Sequence, residues 1–214
     1  MNIIAIDGPA GSGKGTVSKI LATKLNYVYI DTGAMYRAIA YMALKNNILD
    51  DEEKIVDLAK NSKIEFKNNK VFINNIDVTD NIRTIEVSKI TSPISSIVKL
   101  REILVEMQRN MAKDSNIIME GRDITTVVFP NANVKIYLDA NLEERARRRY
   151  NEMIEKGIST TYEEVLDNIS QRDYNDMHKE VGSLTRVKDS IYIDSTNMSI
   201  DDVVNQIIDI VKNI

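Results

Sequence analysis

The segment Gly8-Pro9-Ala10-Gly11-Ser12-Gly13-Lys14-Gly15-Thr16 combines glycines, one lysine and two hydroxyls in an order suited to holding a phosphate group. Glycines let successive backbone N–H groups turn inward around an anion without side-chain clashes. A helix that follows such a loop adds its positive N-terminal end. Lys14 can then reach the β- and γ-phosphate oxygens of a nucleotide, and the Thr16 hydroxyl can ligate Mg²⁺. The loop follows at once on the apolar run Ile3–Ile6, and a plain glycine turn would leave the placing of Lys14 and Thr16 unexplained. Asp7, just ahead of the loop, is expected to act as a local orienting group. The G-x-x-x-x-G-K core predicts phosphate binding and is silent about what happens to the phosphate. Its ending is unusual in one respect, because Gly15 stands between Lys14 and Thr16.

A phosphate dianion that must approach another phosphate needs several cations to hold it there. Arg37, Arg122 and Arg172 lie far apart in the chain. Arg37 and Arg122 each follow a predicted strand by a few residues, where open parallel sheets place their ligands. Arginine offers a bidentate fork to phosphate that lysine lacks. A lone arginine would read as a solvated surface charge, so it is the set that carries the expectation. A further basic run, Glu143-Glu144-Arg145-Ala146-Arg147-Arg148-Arg149, places Arg145, Arg148 and Arg149 on one helical face. It reads either as a solvated face paired with the glutamates, or as a lid whose Arg148 and Arg149 close over ATP and exclude water.

These residues need a scaffold. After the loop, Val17, Ile20, Leu21 and Leu25 recur at helical spacing, and Tyr27–Ile30 is a β-branched and aromatic strand. Strand, glycine loop, helix and strand begin a βαβ unit, hence an α/β fold with a parallel sheet and covering helices. Ala34–Lys45 and Asp51–Lys60 predict helices. Over Lys63–Val78 the period changes to two, with Ile64, Phe66, Val71 and Ile73 alternating and Asn68-Asn69 able to supply a turn. This predicts a small antiparallel hairpin inserted in the helical part. Ile97–Ala112 reads as a helix, Asn116–Met119 and Val134–Leu138 as buried strands, Leu142–Lys156 and Tyr162–Glu180 as charged helices, and Ile191–Ile193 as a last strand. Ser199 with Asp202 makes a capping box ahead of the stripe Ile200, Val203, Val204, Ile207, Ile208 and Val211.

Composition narrows the field. The 214 residues are 43% hydrophobic and 28% charged, with no cysteine and a single histidine, His178. Thiolate chemistry, disulfides and multi-histidine metal sites are therefore excluded. The net charge of −4 disfavours nucleic-acid partners but allows a small phosphorylated ligand in a cleft of arginines. No apolar run approaches the ~20 residues of a membrane span, and the N-terminus lacks the basic start of a signal peptide. A cytoplasmic monomer without membrane contact is expected.

Three more segments sharpen the picture: Asp31-Thr32-Gly33-Ala34-Met35-Tyr36-Arg37, Glu120-Gly121-Arg122-Asp123-Ile124 and Val134-Lys135-Ile136-Tyr137-Leu138-Asp139-Ala140. With the Gly8–Thr16 loop, they resemble the bacterial cytidylate kinases of the P-loop nucleoside monophosphate kinases. The likeness runs from Ile3 to the final helix, hairpin included. It implies a three-layer fold with a central five-stranded parallel sheet, helices on both faces, an antiparallel β insertion and a helical lid. One domain would span 1–214, with a monophosphate-binding insertion over 34–112, the hairpin at 63–78 and the lid at 142–182. ATP and Mg²⁺ would be used to phosphorylate CMP or dCMP. The resemblance implies that Lys14, Arg122, Arg172 and Arg148 serve the transfer and that residues 8–16 with Arg149 hold ATP. Thr32, Tyr36, Arg37, Ser92, Arg101, Arg122, Asp123, Arg172, Asp176 and Lys179 would hold the acceptor. Among these, Ser92 and Asp123 would accept from the cytosine amino group, Arg101 would donate to its ring, and Asp176 with Arg172 would meet the ribose. Thr16 would ligate the metal, with Glu120 reaching it through water.

The chain departs from the family pattern at Glu120, where aspartate is common, at Thr125, where glycine is usual, and at Asn175 and Lys179, where arginines are frequent. These changes bear on efficiency. Two other readings stay open at this point: a kinase for UMP, AMP or another small acceptor, and a non-catalytic ATP-binding module.

Overall fold

The computed structural model describes residues 2–67 and 70–213. Two compact units divide the chain, Met1–Tyr29 with Ser115–Ile214, and Ile30–Asp114.

The first unit is built on a five-stranded sheet. Its strands are β1 (Ile3–Asp7), β2 (Val28–Asp31), β6 (Ile117–Gly121), β7 (Val134–Asp139) and β8 (Ile191–Asp194), in the order β2-β6-β1-β7-β8. β1 pairs in parallel with β6 (Ile4 opposite Ile118) and with β7 (Ile6 opposite Ile136), and β7 pairs in parallel with β8. Parallel strands covered on their faces read as continuous apolar runs, as Ile3–Ile6 does. Helix α1 (Lys14–Leu25) and helix α8 (Ile200–Lys212) pack beside each other. Val17 and Leu21 of α1 and Val203, Val204 and Ile207 of α8 close the core over Ile4, Ile6, Ile118, Ile136, Leu138 and Ile193. The expected capping box holds, with Ser199 and Asp202 bonded reciprocally at the start of α8. Ile200 is the one member of the expected stripe left exposed.

Helices α6 (Leu142–Glu155) and α7 (Tyr162–Met177) pair with each other, and Tyr150 meets Tyr162 edge to face. A small apolar cluster of Ala146, Val165 and Ile169 between them also takes in Ala10 of the phosphate loop.

The second unit holds α2 (Thr32–Lys45), α3 (Glu52–Lys60), α4 (Ile85–Ile94) and α5 (Val98–Met111). Met35, Ile39, Ile55, Leu100 and Leu104 are fully buried there. Its sheet has three antiparallel strands, β3 (Ile64–Lys67), β4 (Lys70–Ile73) and β5 (Ile76–Asp77). Asn68 and Asn69, expected to turn the hairpin, lie outside the described residues. Asn74 and Asn75 make a second turn, with φ of 50° and 66°. Positive φ at both central positions is the signature of a type I′ hairpin, and asparagine tolerates it better than most residues. Helix α4 was not expected, because β-branched residues and Pro93 obscure its period, but Thr84 caps it by accepting from the Val87 N–H. Among the described residues no helix is long and apolar enough to cross a membrane.

Candidate active site

The phosphate loop leaves β1 against β7. A Cβ on Gly8 would lie 2.0 Å from the Leu138 carbonyl oxygen, so only glycine allows this approach. Gly13 takes a left-handed φ of 90° and caps α1, which turns the chain from loop to helix within one residue. Lys14, the first residue of α1, is only 5% exposed. Its ammonium folds back over the loop to donate to the Pro9 carbonyl at 2.7 Å and to Ser12 Oγ at 3.3 Å. Burial, with the Arg122 guanidinium, pulls the Lys14 pKa down to about 7, while Glu120, Asp7 and Asp176 oppose the shift. Two cations are thus crowded beside the phosphate loop, an arrangement that favours a polyanion.

Glu120 explains the inserted glycine. A Cβ on Gly15 would lie 3.0 Å from Glu120 Oε1, so the carboxyl presses on the first turn of α1. Tyr29 donates its hydroxyl to the same oxygen at 2.8 Å. Thr16 is exposed one residue beyond Gly15.

Asp7 lies 0% exposed at the end of β1. Oδ1 accepts the Ile124 N–H at 2.9 Å, and Oδ2 accepts both the N–H and the hydroxyl of Thr125 at 2.7 Å. Burial raises its pKa in spite of these donors, and neighbouring Asp123 adds to the rise. The orienting role expected of Asp7 therefore falls on the turn Ile124–Val128, directly after Arg122 and Asp123, and Thr125 is a working partner in it. A glycine at 125 would lack the hydroxyl bond.

Arg122 leaves the end of β6 and donates through Nε to Asp176 Oδ2 at 2.7 Å. Lys179 donates to the other oxygen of the same carboxylate at 3.0 Å. Burial opposes ionisation of Asp176, but Arg122 and Lys179 outweigh it and hold its pKa down at about 2. Burial works against the Arg122 charge too, and the Asp176 carboxylate more than restores it. Arg122, Asp176, Lys179 and Lys14 are therefore neighbours in the first unit, while Arg172 lies exposed on α7.

The basic run of α6 divides its work. Arg148 donates through Nη1 and Nη2 to Ser195 Oγ and O at 3.1 and 2.6 Å, and through Nε to Glu144. It stays close to the loop, since a Cβ on Gly13 would be 4.0 Å from its Nη1. Arg149 pairs with Glu152 on the exposed side of the helix. Arg145, which shares its spacing, is buried instead. It donates to the carbonyls of Ala140 and Ala10 at 2.8 and 2.9 Å and pairs with Asp173 of α7. Asp173 accepts the Ala10 N–H at 3.1 Å. Sequence spacing puts Arg145 on one face with Arg148 and Arg149 without setting it apart from them, and it gives Asp173 no role beyond its i, i+3 spacing to Asp176.

In the second unit, Asp31 caps α2 by accepting the Ala34 N–H at 2.8 Å, and its other oxygen accepts from Arg37 Nη2 at 2.9 Å. Arg37 Nε is buried with no hydrogen-bond partner. Thr32 and Tyr36 are buried on the same helix. Arg101 of α5 is buried, lies 5.4 Å from the Tyr36 ring centroid and donates to the Ser95 carbonyl at 2.9 Å. Ser92 lies at the same end of α4, where its carbonyl accepts from the Ser95 hydroxyl. Tyr36, Arg101 and the α4 terminus thus come together, and Arg37 with Asp31 forms a separate charged pair.

Comparison with known proteins adds the following. The family model for cytidylate kinase matches residues 4–213. A cytidylate kinase from Leuconostoc mesenteroides is 49% identical, covering 98% of this chain and 96% of that protein. One from Bacillus subtilis is 47% identical over the same shares. Among solved structures, a shikimate kinase from Bacteroides thetaiotaomicron superposes with a TM-score of 0.52 at 13% identity, covering 99% of this chain and 98% of that one. An uncharacterized protein from Eubacterium ventriosum gives 0.55 at 15% identity, covering 100% and 99%. The structural matches speak for the fold, an α/β P-loop architecture.

Proposed function

The chain belongs to the cytidylate kinase family, and on that premise we propose that it transfers the γ-phosphoryl group of ATP to CMP or dCMP, releasing ADP and CDP or dCDP. The observation that carries the reading is the crowding of Lys14 and Arg122 beside the phosphate loop. Burial, and after it repulsion from Arg122, depresses the Lys14 pKa, a strain that a bound triphosphate would relieve.

Phosphoryl transfer asks little covalent chemistry of a protein, so position and charge neutralisation supply the rate. An oxygen of the acceptor phosphate bonds to the γ-phosphorus as the bond to the β–γ bridging oxygen breaks. That oxygen is already anionic at neutral pH, so no general base is required. Lys14, exchanging the Pro9 carbonyl and Ser12 hydroxyl for phosphate oxygens, would hold the β- and γ-phosphates. Residues 8–16 would supply the amide cradle, with Arg148 beside it and Arg149 at the next position of α6. Arg37, with its unpartnered Nε, and Arg122 would grip the acceptor phosphate. Ser92, Arg101 and Asp123 would read the cytosine edge by matching its amino donor and ring acceptors. Thr32 and Tyr36 of α2, Arg172 and Asp176 of α7, and Lys179 just beyond α7 would also contact the acceptor.

Mg²⁺, bound to the triphosphate, would supply charge neutralisation. Among the described residues no group of three or more acidic or histidine side chains could cage a metal. The Thr16 hydroxyl and the Glu120 carboxyl fit an ion that arrives on phosphates and keeps most of its water.

A coupled ADP-release assay with ATP and Mg²⁺ tests this, offering CMP, dCMP, UMP, AMP and GMP in parallel. Activity confined to CMP and dCMP is expected. Preference for another monophosphate overturns the assignment of Ser92, Arg101 and Asp123, and release with none of them overturns the reaction.

A further inference from the structure

The two backbone groups of Ala10 are both taken by side chains from the α6–α7 pair. Asp173 accepts the Ala10 N–H at 3.1 Å, and Arg145 donates to the Ala10 carbonyl at 2.9 Å while pairing with Asp173. Both side chains are buried, and Arg145 is fixed further by the Ala140 carbonyl. The Ala10 methyl packs with Ala146, Val165 and Ile169 of the same helices. A Cβ on Gly11 would be 3.2 Å from Arg145 Cβ, so the loop presses on α6 at the next residue too.

We propose that Arg145 and Asp173 are positioning residues for the phosphate loop, setting its shape for the donor triphosphate. The inference rests on the kinase reading for the identity of that donor. Asp173 draws the Ala10 amide out of the anion-binding set and leaves the later amides of the loop to face the phosphates. A buried carboxylate so near an anion site would repel the ligand, and the Arg145 guanidinium cancels that charge in place. The pair therefore does two separable things: it holds a peptide, and it keeps a negative charge neutralised.

The test measures ATP affinity by calorimetry on the full chain in Mg²⁺, with CMP affinity and the unfolding midpoint measured alongside. Arg145→Gln leaves the Asp173 carboxylate uncompensated and is expected to weaken ATP by about thirtyfold. Asp173→Asn keeps an acceptor for the Ala10 N–H, turns an amide donor toward Arg145, and is expected to weaken ATP by about tenfold. CMP affinity is expected to stay within about twofold in both, and in turnover KM for ATP should rise while kcat moves little. The double variant R145Q/D173N removes the stranded charge and is expected to bind ATP more tightly than R145Q alone, a rescue that loosened packing cannot produce. Folded variants with unchanged ATP affinity overturn the proposal, as does equal weakening of ATP and CMP or a double variant worse than R145Q. A wild-type chain that binds ATP but phosphorylates no monophosphate sinks the kinase reading and leaves this test standing; one that binds no ATP sinks both.

Discussion

Removing the Thr125 hydroxyl isolates one bond in the network that holds the turn after Arg122. In Thr125→Ala both amide bonds to Asp7 remain, and only the 2.7 Å hydroxyl bond to Oδ2 is lost. A bond to a buried carboxylate contributes about 1.5–3 kcal/mol, and the lost buried methyl adds about 0.8 kcal/mol. The expected cost is therefore about 2–4 kcal/mol where Asp7 is ionised, a large share of the 5–15 kcal/mol typical of a folded domain. Burial already raises the Asp7 pKa, and losing a donor raises it further. The mutational cost is thus present above the folded pKa of Asp7 and shrinks as pH falls through it, where a protonated carboxyl no longer needs three donors. Urea unfolding of both chains as a function of pH measures the effect. In an Asp7→Asn background the same substitution should cost about 1–2 kcal/mol, because the methyl is still lost but the acceptor is no longer charged. A cost below about 0.5 kcal/mol on the high-pH side of the titration, or the same cost in both backgrounds, refutes the assignment.

Lys14→Met should fold normally by circular dichroism yet lose about a hundred- to a thousandfold or more in kcat by the coupled assay. Asp176, held down at about 2 by Arg122 and Lys179, contributes stability that is present above its unfolded pKa near 3.8 and lost as pH falls through about 2. Asp176→Asn should accordingly cost about 2 kcal/mol at pH 7 and progressively less below pH 4 in urea titrations. Tyr29→Phe removes the donor to Glu120 and should cost about 1 kcal/mol, with an equal cost in a Glu120→Ala background, which lacks the acceptor, refuting the contact.

The parts most legible in the sequence were those whose chemistry is local. The Gly8–Thr16 loop announces itself because few compositions can turn that tightly around an anion, and the Ser199–Asp202 box because a cap is a short-range contact. The period-two stretch around Ile64 and Val71 announced a β element, but the turn at Asn74-Asn75 and the strand beyond it went unseen, since each asparagine pair reads alike. Helix α4 hid because Thr84 caps a segment of weak helix formers. The sharpest gap concerns Arg145, Arg148 and Arg149. Their spacing puts them on one face, and only the presence of α7 and the β8 end decides that Arg145 is buried on Asp173, Arg148 bonds Ser195 and Arg149 meets solvent and Glu152. Asp173 and Asp176 differ in the same way: one turn apart, one holds the loop and the other holds Arg122.

The chain leaves the first unit along β2 and returns to it at β6, and these two strands are neighbours in the sheet. Just ahead of the exit and just after the return, the Val28 N–H donates to the Asn116 carbonyl at 2.9 Å. The segment 30–114 is therefore spliced in through two points already fastened to each other. Its ends need not be brought together by its own folding, so closing it adds little entropy cost beyond what the sheet has met. Such a segment behaves as an exchangeable cassette: a different insert with ends about one strand spacing apart (~4.8 Å) could be grafted at the same junction without redrawing the sheet. The 30–114 segment could in that way be varied within one continuous gene while the phosphate loop stays as it is.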